Sequence, residues 1–283
     1  MWKSFSFKLI FGLGLIGIIS ANSDTLFAEF YGNPKTGLQQ IKSDRYGATC
    51  YVPENYTADK DWPLVVVMYS DEAEKGVKFN EKWLAELKKR NLIVLFVSYL
   101  APREMPFASD ERLLKLIRQT ADMYRIDHKR VLLTAFGEAA HYAFYLGFYY
   151  PEYFSAVALV GGGAEGRYES FFSYGNSDAK SLPFLILYGD HDQTIQKQSF
   201  IPVHEKLHAR GYLVELQELE GLGHKLEPQF ETKIMDWFGG LPVKEKTLKP
   251  EDEIEESSAA KGIASGLDVP KFVSNLVRGI FKG

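Results

Sequence analysis

The sequence predicts an α/β fold, a mostly parallel sheet flanked by helices on both faces. Three observations carry that prediction. Strand-like and helix-like runs alternate between residues 44 and 240, and strands separated by helices of this length build βαβ units with parallel pairing. Several strand-like runs are apolar without alternation, the pattern of strands covered on both faces. A chain of 283 residues with 46% hydrophobic content also has ample material for a buried core.

The elements follow in order. "YGATCYVPENY" (46–56) reads as an early antiparallel strand. The strand-like runs after it are "PLVVVMYS" (63–70), "LIVLFVSYL" (92–100), "RVLLTA" (130–135), "FSAVALVGG" (154–162), "PFLILYGD" (183–190) and "YLVELQEL" (212–219), all rich in β-branched and aliphatic residues. Helical spacing appears in "EKWLAELKKR" (81–90), "DERLLKLIRQTADMYR" (110–125), "EAAHYAFYLGFYY" (138–150) and "FIPVHEKLHARG" (200–211). No internal repeat is present. Residues 163–182 form a short connection, which leaves no room for a large lid. Its aromatic stretch "GRYESFFSYG" (166–175) is read as a packed surface loop, or as contacts for a bound ring or chain. An open α/β sheet places its site at the carboxyl ends of the strands, so the residues just after each strand matter most.

Composition narrows the function classes. A formal net charge of −4 gives no support to nucleic-acid binding, which needs a basic face. A 14% aromatic fraction and modest charge exclude a disordered chain. Cys50 is the single cysteine, so no intrachain disulfide can form; on its early strand it reads as a small core residue.

The two ends differ from the middle. Lys3 and Lys8 precede the uncharged run "LIFGLGLIGIIS" (9–20) and then "ANS", the layout of a signal peptide with cleavage before Asp24. The run is shorter than the roughly 20 apolar residues of a membrane span; an uncleaved anchor extended upstream through Phe5 and Phe7 is the alternative. The expectation is export, to the periplasm or beyond, of a chain with a leader at 1–23 and an extension at 24–43. The domain at 44–240 is followed by a charged linker at 241–265. Beyond it, residues 266–283 place Val269, Phe272, Val273, Leu276, Val277, Ile280 and Phe281 on one side of a helix and Lys271, Arg278 and Lys282 on the other. That helix either folds back onto the domain or lies on a membrane surface or protein partner.

The chemistry-bearing stretch is "TAFGEAA" (134–140), between the strand at 130–135 and the helix that follows. A nucleophile elbow, Gly-x-Ser-x-Gly, holds a serine at the tip of a tight strand-to-helix turn, with small residues two before and two after it. Here Ala135 and Ala139 hold the small positions and Gly137 is at the tip. Making Glu138 the tip would put Phe136 at a small position, which the geometry resists. The turn is kept; the nucleophile is not.

These residues resemble a known family. "RIDHKRVLLTAFGEAAHYAFYLGFYYPEYFSAVALVGGG" (125–163), "PFLILYGDHDQTI" (183–195) and "LEGLGHKLEP" (219–228) look like the elbow, acid turn and histidine loop of the α/β-hydrolase superfamily. The likeness is nearest to the secreted polyhydroxybutyrate depolymerase and feruloyl esterase group. It implies an α/β-hydrolase fold over most of 44–240 and esterase chemistry, with Asp192 as the acid and His224 as the base. Asp190 is then a structural carboxylate at a strand end. Two departures stand out. Gly137 occupies the serine position, and Tyr69-Ser70-Asp71-Glu72 stands where the family has a His-Gly loop contributing to the oxyanion hole. Asp71, Glu72 and Glu138 place carboxylates where a developing oxyanion needs donors, although an acid in a helix's first turn is favoured for its own sake.

The resemblance therefore implies an esterase-like protein that is non-catalytic or weakly active, with a binding role toward an ester-like small molecule or a partner. An active ester hydrolase with a replacement nucleophile, Ser70 being the candidate, is the alternative. A distant third reading is a zinc peptidase. "HEKLHARG" (204–211) contains His-Glu-x-x-His, with His204 and His208 one turn apart and Glu205 as base. Its third ligand would fall at Val214, which cannot coordinate metal, or be supplied by Glu227. The favoured reading calls for no cofactor and no metal. It expects Gly137 and His224 close together, with Asp192 beside the histidine.

Overall fold

The computed structural model describes residues 35–43, 46–70, 84–85, 87–99, 106–163, 178–194 and 197–243. The leader, most of the charged linker, the 266–283 segment, the aromatic stretch 166–175, and Asp71 and Glu72 lie outside the described residues. So does much of the helix expected at 81–90.

The strands are β1 (Gly37–Ser43), β2 (Tyr46–Val52), β3 (Trp62–Ser70), β4 (Ile93–Tyr99), β5 (Ile126–Phe136), β6 (Ala156–Val160), β7 (Phe184–Gly189) and β8 (Val214–Leu219). They form a single eight-stranded sheet in the order β1-β2-β4-β3-β5-β6-β7-β8. β1 with β2 and β2 with β4 pair antiparallel, and every other pairing is parallel. Among the described residues the α-helices with described bounds are α1 (Pro106–Met123), α2 (Glu138–Tyr149), α3 (Lys197–Ala209) and α4 (Pro228–Gly240).

The strands alternate between two apolar layers. Leu64, Val66, Met68, Leu133, Ala135, Val157, Leu159 and Ile186 face one core, which α1 and α2 cover with Leu113, Ile117, Phe144 and Phe148. Val65, Val67, Leu132, Ala158, Leu185 and Leu187 face the other, which α4 closes with Phe230, Ile234, Met235 and Phe238. Burial on both faces is why these strands read as unbroken apolar runs. Each large side chain so buried contributes about 1.5–3 kcal/mol, which drives this layering far more strongly than strand propensity.

Three elements differ from the sequence expectation. Gly37–Ser43, expected in an extension ahead of the domain, is the edge strand β1 and pairs along seven residues with β2. The sheet therefore begins before residue 44. β5 starts at Ile126, and a helix not anticipated from the sequence, α4, follows the histidine loop. Pro228 at its first turn suits a helix start, and its buried residues at 230, 234, 235 and 238 recur at helical spacing.

Parallel pairing of β3, β5, β6, β7 and β8 brings their carboxyl ends to one edge. Met68 stands opposite Ala135, and Leu187 opposite Val160. The stretches leaving those strands at 137, 161–163, 190–192 and 220–224 are thereby neighbours.

Candidate active site at the carboxyl edge

The turn after β5 is built around Gly137. Its φ is 61° and its ψ −129°, a conformation that a residue with a side chain holds only under strain. The Gly137 N–H donates to Val160 O at 2.9 Å, and the Ala140 N–H donates back to Gly137 O at 3.0 Å. β5 is thus turned directly into α2. The backbone of Gly162 packs against this turn: a Cβ there would lie 2.5 Å from Gly137 O and 2.9 Å from the Ala140 methyl. No side chain fits at 162.

His224 and Asp192 arrive from separate loops. The loop after β7 is closed by the Asp192 N–H on Gly189 O at 3.1 Å and by the His191 N–H on Leu222 O at 2.9 Å. The second bond ties it to the loop after β8. Asp192 Oδ1 accepts the Thr194 N–H at 2.9 Å, and Oδ2 lies 2.8 Å from His224 Nδ1. The Asp192 side chain is 3% exposed and that of His224 26%. The carboxylate is sealed behind the ring, and the ring is partly exposed. A carboxylate facing Nδ1 holds the proton there and leaves Nε2 as an acceptor. The ring is seated against Phe136, centroid to centroid 4.9 Å, and over Gly161, where a Cβ would come within 3.2 Å of Cε1.

The elbow and the dyad meet. A Cβ on Gly137 would stand 3.6 Å from His224 Nε2, its nearest neighbour among the described residues. A serine hydroxyl one bond further out would reach Nε2 within the roughly 2.6–3.2 Å of a nucleophile–base pair. The structure therefore brings together Gly137, Asp192 and His224, as the sequence expects. Glu138 is the exposed first residue of α2, and its amide holds the position from which an elbow donates to an oxyanion. Ser70 ends β3 two residues beyond Met68, so its backbone stands level with Gly137 on the neighbouring strand. Asp190, just after β7, donates its N–H to Leu219 O at 3.1 Å, and its Oδ2 lies 3.8 Å from His191 Nε2.

One participant was not legible in the sequence. His141, one turn into α2, sets its Nδ1 2.9 Å from Gly163 O and ties α2 to the end of β6, beside the glycines that support His224. Its spacing of four from Gly137 is the only sequence signal that points to it.

The zinc motif goes elsewhere. His204 Nε2 lies 2.8 Å from Val214 O, so the ring donates to β8 and pins α3 to the sheet. His208 and Glu205 are exposed. Among the described residues no group of three His, Cys, Asp or Glu side chains is placed to hold a metal.

Strand order, a glycine-tipped elbow after β5, an acid after β7 and a histidine after β8 together decide the architecture. This is the α/β-hydrolase fold. No family model and no curated protein matches the sequence, but solved structures do. LpqC, a poly(3-hydroxybutyrate) depolymerase from Bordetella parapertussis, superposes with a TM-score of 0.57 at 16% identity, over 75% of this chain and 92% of that one. An acetyl xylan esterase from Aspergillus awamori gives 0.54 at 16%, over 72% and 99%. A thermostable esterase gives 0.55 at 19%, over 71% of this chain and 62% of its own length, less than two thirds of that protein. At these identities the likeness establishes the α/β-hydrolase fold and leaves activity to the site itself.

Proposed function

We propose that this chain is an exported, esterase-like α/β-hydrolase-fold protein that forms no acyl-enzyme and uses its acyl site to bind an ester-like small molecule. One observation carries the reading. The base and acid are in working geometry, 2.8 Å apart, while the residue they face is Gly137, which has no atom to acylate. A binding role keeps the turn and its orienting imidazole and dispenses with the nucleophile. Export rests on the leader pattern at 1–23, and association with a membrane surface or a protein partner on the amphipathic pattern at 266–283.

A fluorophosphonate probe tests the covalent part. The native protein stays unlabelled, while Gly137→Ser, with its hydroxyl in reach of Nε2, is labelled at residue 137. Gly137→Ser also meets a strained φ and loses about 1–3 kcal/mol of stability. The level register of Ser70 with Gly137 favours a second reading, in which Ser70 replaces the nucleophile. Labelling of the native protein that disappears in Ser70→Ala would establish it.

A further inference from the structure

We infer that His224 and Asp192 form a general-base dyad that activates water directly, so that the site hydrolyses activated carboxylic esters such as aryl esters without a covalent intermediate. The inference rests on the reading of the site above and extends it from binding to turnover.

Three features carry it. Asp192 Oδ2, 2.8 Å from Nδ1, fixes the tautomer in which Nε2 is basic. Nε2 is turned toward the elbow, 3.6 Å from where a Gly137 Cβ would be. A water oxygen at a hydrogen-bonding distance of about 2.8–3.0 Å from Nε2 then takes the place that a serine hydroxyl holds in an ordinary elbow. The ring is also held at that angle by Phe136 at 4.9 Å and by close packing over Gly161. A pair serving only to brace two loops requires the Nδ1 contact alone. It does not require a partly exposed imidazole whose Nε2 faces an elbow tip that carries no side chain.

The step balances without another reagent. The water oxygen adds to the ester carbonyl carbon while its proton passes to Nε2, and Asp192 steadies the imidazolium. The tetrahedral intermediate collapses, the bond to the leaving oxygen breaks, and that oxygen takes the proton from Nε2. Acid and alcohol depart, and the ring is neutral again. With the proton delivered late, esters of acidic alcohols are the substrate class, since a phenolate departs with little assistance.

The test compares the full chain with His224→Gln, Gly137→Ala and Gly137→Ser on p-nitrophenyl acetate and phenyl acetate. The native protein should exceed His224→Gln by about 10²-fold, the lower end of what a positioned base contributes. Its rate should rise with pH and level off, and there should be no pre-steady-state burst. In added methanol the ratio of methyl ester to acid should differ between the two substrates, because they share no acyl-enzyme. Gly137→Ala, whose methyl takes the water's place, should fall to the His224→Gln rate with an unchanged circular dichroism spectrum. If Gly137→Ala fails to fold, the His224→Gln comparison and the methanol ratio decide alone. Equal rates for native protein and His224→Gln overturn the inference. In that case labelling of Gly137→Ser by a fluorophosphonate leaves the reading of the site standing, and absence of labelling removes both. A burst with one methanol ratio for both esters also overturns it, in favour of a covalent nucleophile.

Discussion

Two buried carboxylates in this domain are held in opposite ways. Asp192 sits in a loop at the carboxyl edge of the sheet, with an imidazole at Oδ2 and the Thr194 amide at Oδ1. Asp110 sits in α1, against α2, and accepts hydrogen bonds from three phenols: Tyr142, Tyr145 at 2.9 Å and Tyr150 at 3.1 Å. Burial pushes the Asp110 carboxyl up to about 6, and the three hydroxyls hold it below where burial alone would take it. Desolvation and the neighbouring carboxylate likewise raise Tyr145 and Tyr150. Asp192 orients a partly exposed side chain. Asp110 fastens two helices and presents nothing outward. Burial and hydrogen bonding are common to both, so the two are told apart by the partner: a partly exposed imidazole for Asp192 and three phenols for Asp110.

The comparison breaks most visibly by exchanging the readouts. In the Gly137→Ser background, Asp192→Asn removes the charge that steadies the imidazolium and the acceptor that sets its tautomer. Loss of the orienting carboxylate costs about 10⁴-fold in triads generally, so fluorophosphonate labelling should fall to background while the melting temperature hardly moves. Labelling that survives the change would reduce Asp192 to a brace.

Asp110→Ala should do the reverse. It takes the Asp110 acceptor from three phenolic hydroxyls, two of them buried and that of Tyr150 half-buried, at about 1–3 kcal/mol for each buried one before relaxation. Denaturant titration should show a loss of several kcal/mol, with ester turnover per folded molecule unchanged. Asp110→Asn keeps an acceptor oxygen and should lose clearly less. Equal losses for the two variants would mean that the tyrosine bonds contribute little.

How much of this contrast could be read from the chain? The site was legible because its parts sit at punctuated places. A strand runs into "TAFGEAA", another into "YGDHD", and a third into "GLGH", in an order that the parallel sheet converts into proximity. Asp110 was not. In "DERLLKLIRQ" it looks like the exposed acid of an amphipathic helix, and only the packing of α1 on α2 buries it. The tyrosines at 142, 145, 149 and 150 are spaced for one helix face, yet nothing in them announces a shared acceptor. β1 was missed for a related reason. "GLQQIKS" has neither an apolar run nor strong β propensity, and it becomes a strand because β2 offers it seven residues of pairing. α4 follows the histidine loop, and its apolar period after Pro228 is short, so the sequence reading named no helix there. Local signals disclosed what sits at strand ends; long-range packing supplied the rest.

A smaller effect sharpens the contrast through pH. A carboxyl raised from its unfolded value of 3.8 to about 6 binds its proton more tightly in the folded state. Between those values the native protein holds more protons than the unfolded chain, so stability falls as pH rises through the window and stays at the lower level above it. Across that window the decline amounts to about 3 kcal/mol. Unfolding free energies measured from pH 4 to pH 7 should show this decline, and Asp110→Asn should flatten it. A native profile that rises across the same range would contradict the assignment.

The smallest change tests the tyrosine cage itself. Tyr150 is the outermost of the three donors, half-buried where α2 ends, with its hydroxyl 3.1 Å from Asp110 Oδ2. That bond favours the ionised carboxylate, so deleting it acts in two places. Tyr150→Phe should cost about 1 kcal/mol near neutral pH, the net worth of one hydrogen bond. It should also let the carboxyl climb above its present value of about 6, moving the upper end of the stability decline to higher pH. Below pH 4 the carboxyl is protonated in both proteins, and the difference between them should shrink. Tyr142→Phe and Tyr145→Phe, at deeper positions, should move the window further and cost more. If Tyr150→Phe lowers stability by the same amount at every pH, the phenol acts through packing alone and Asp110 does not sense it.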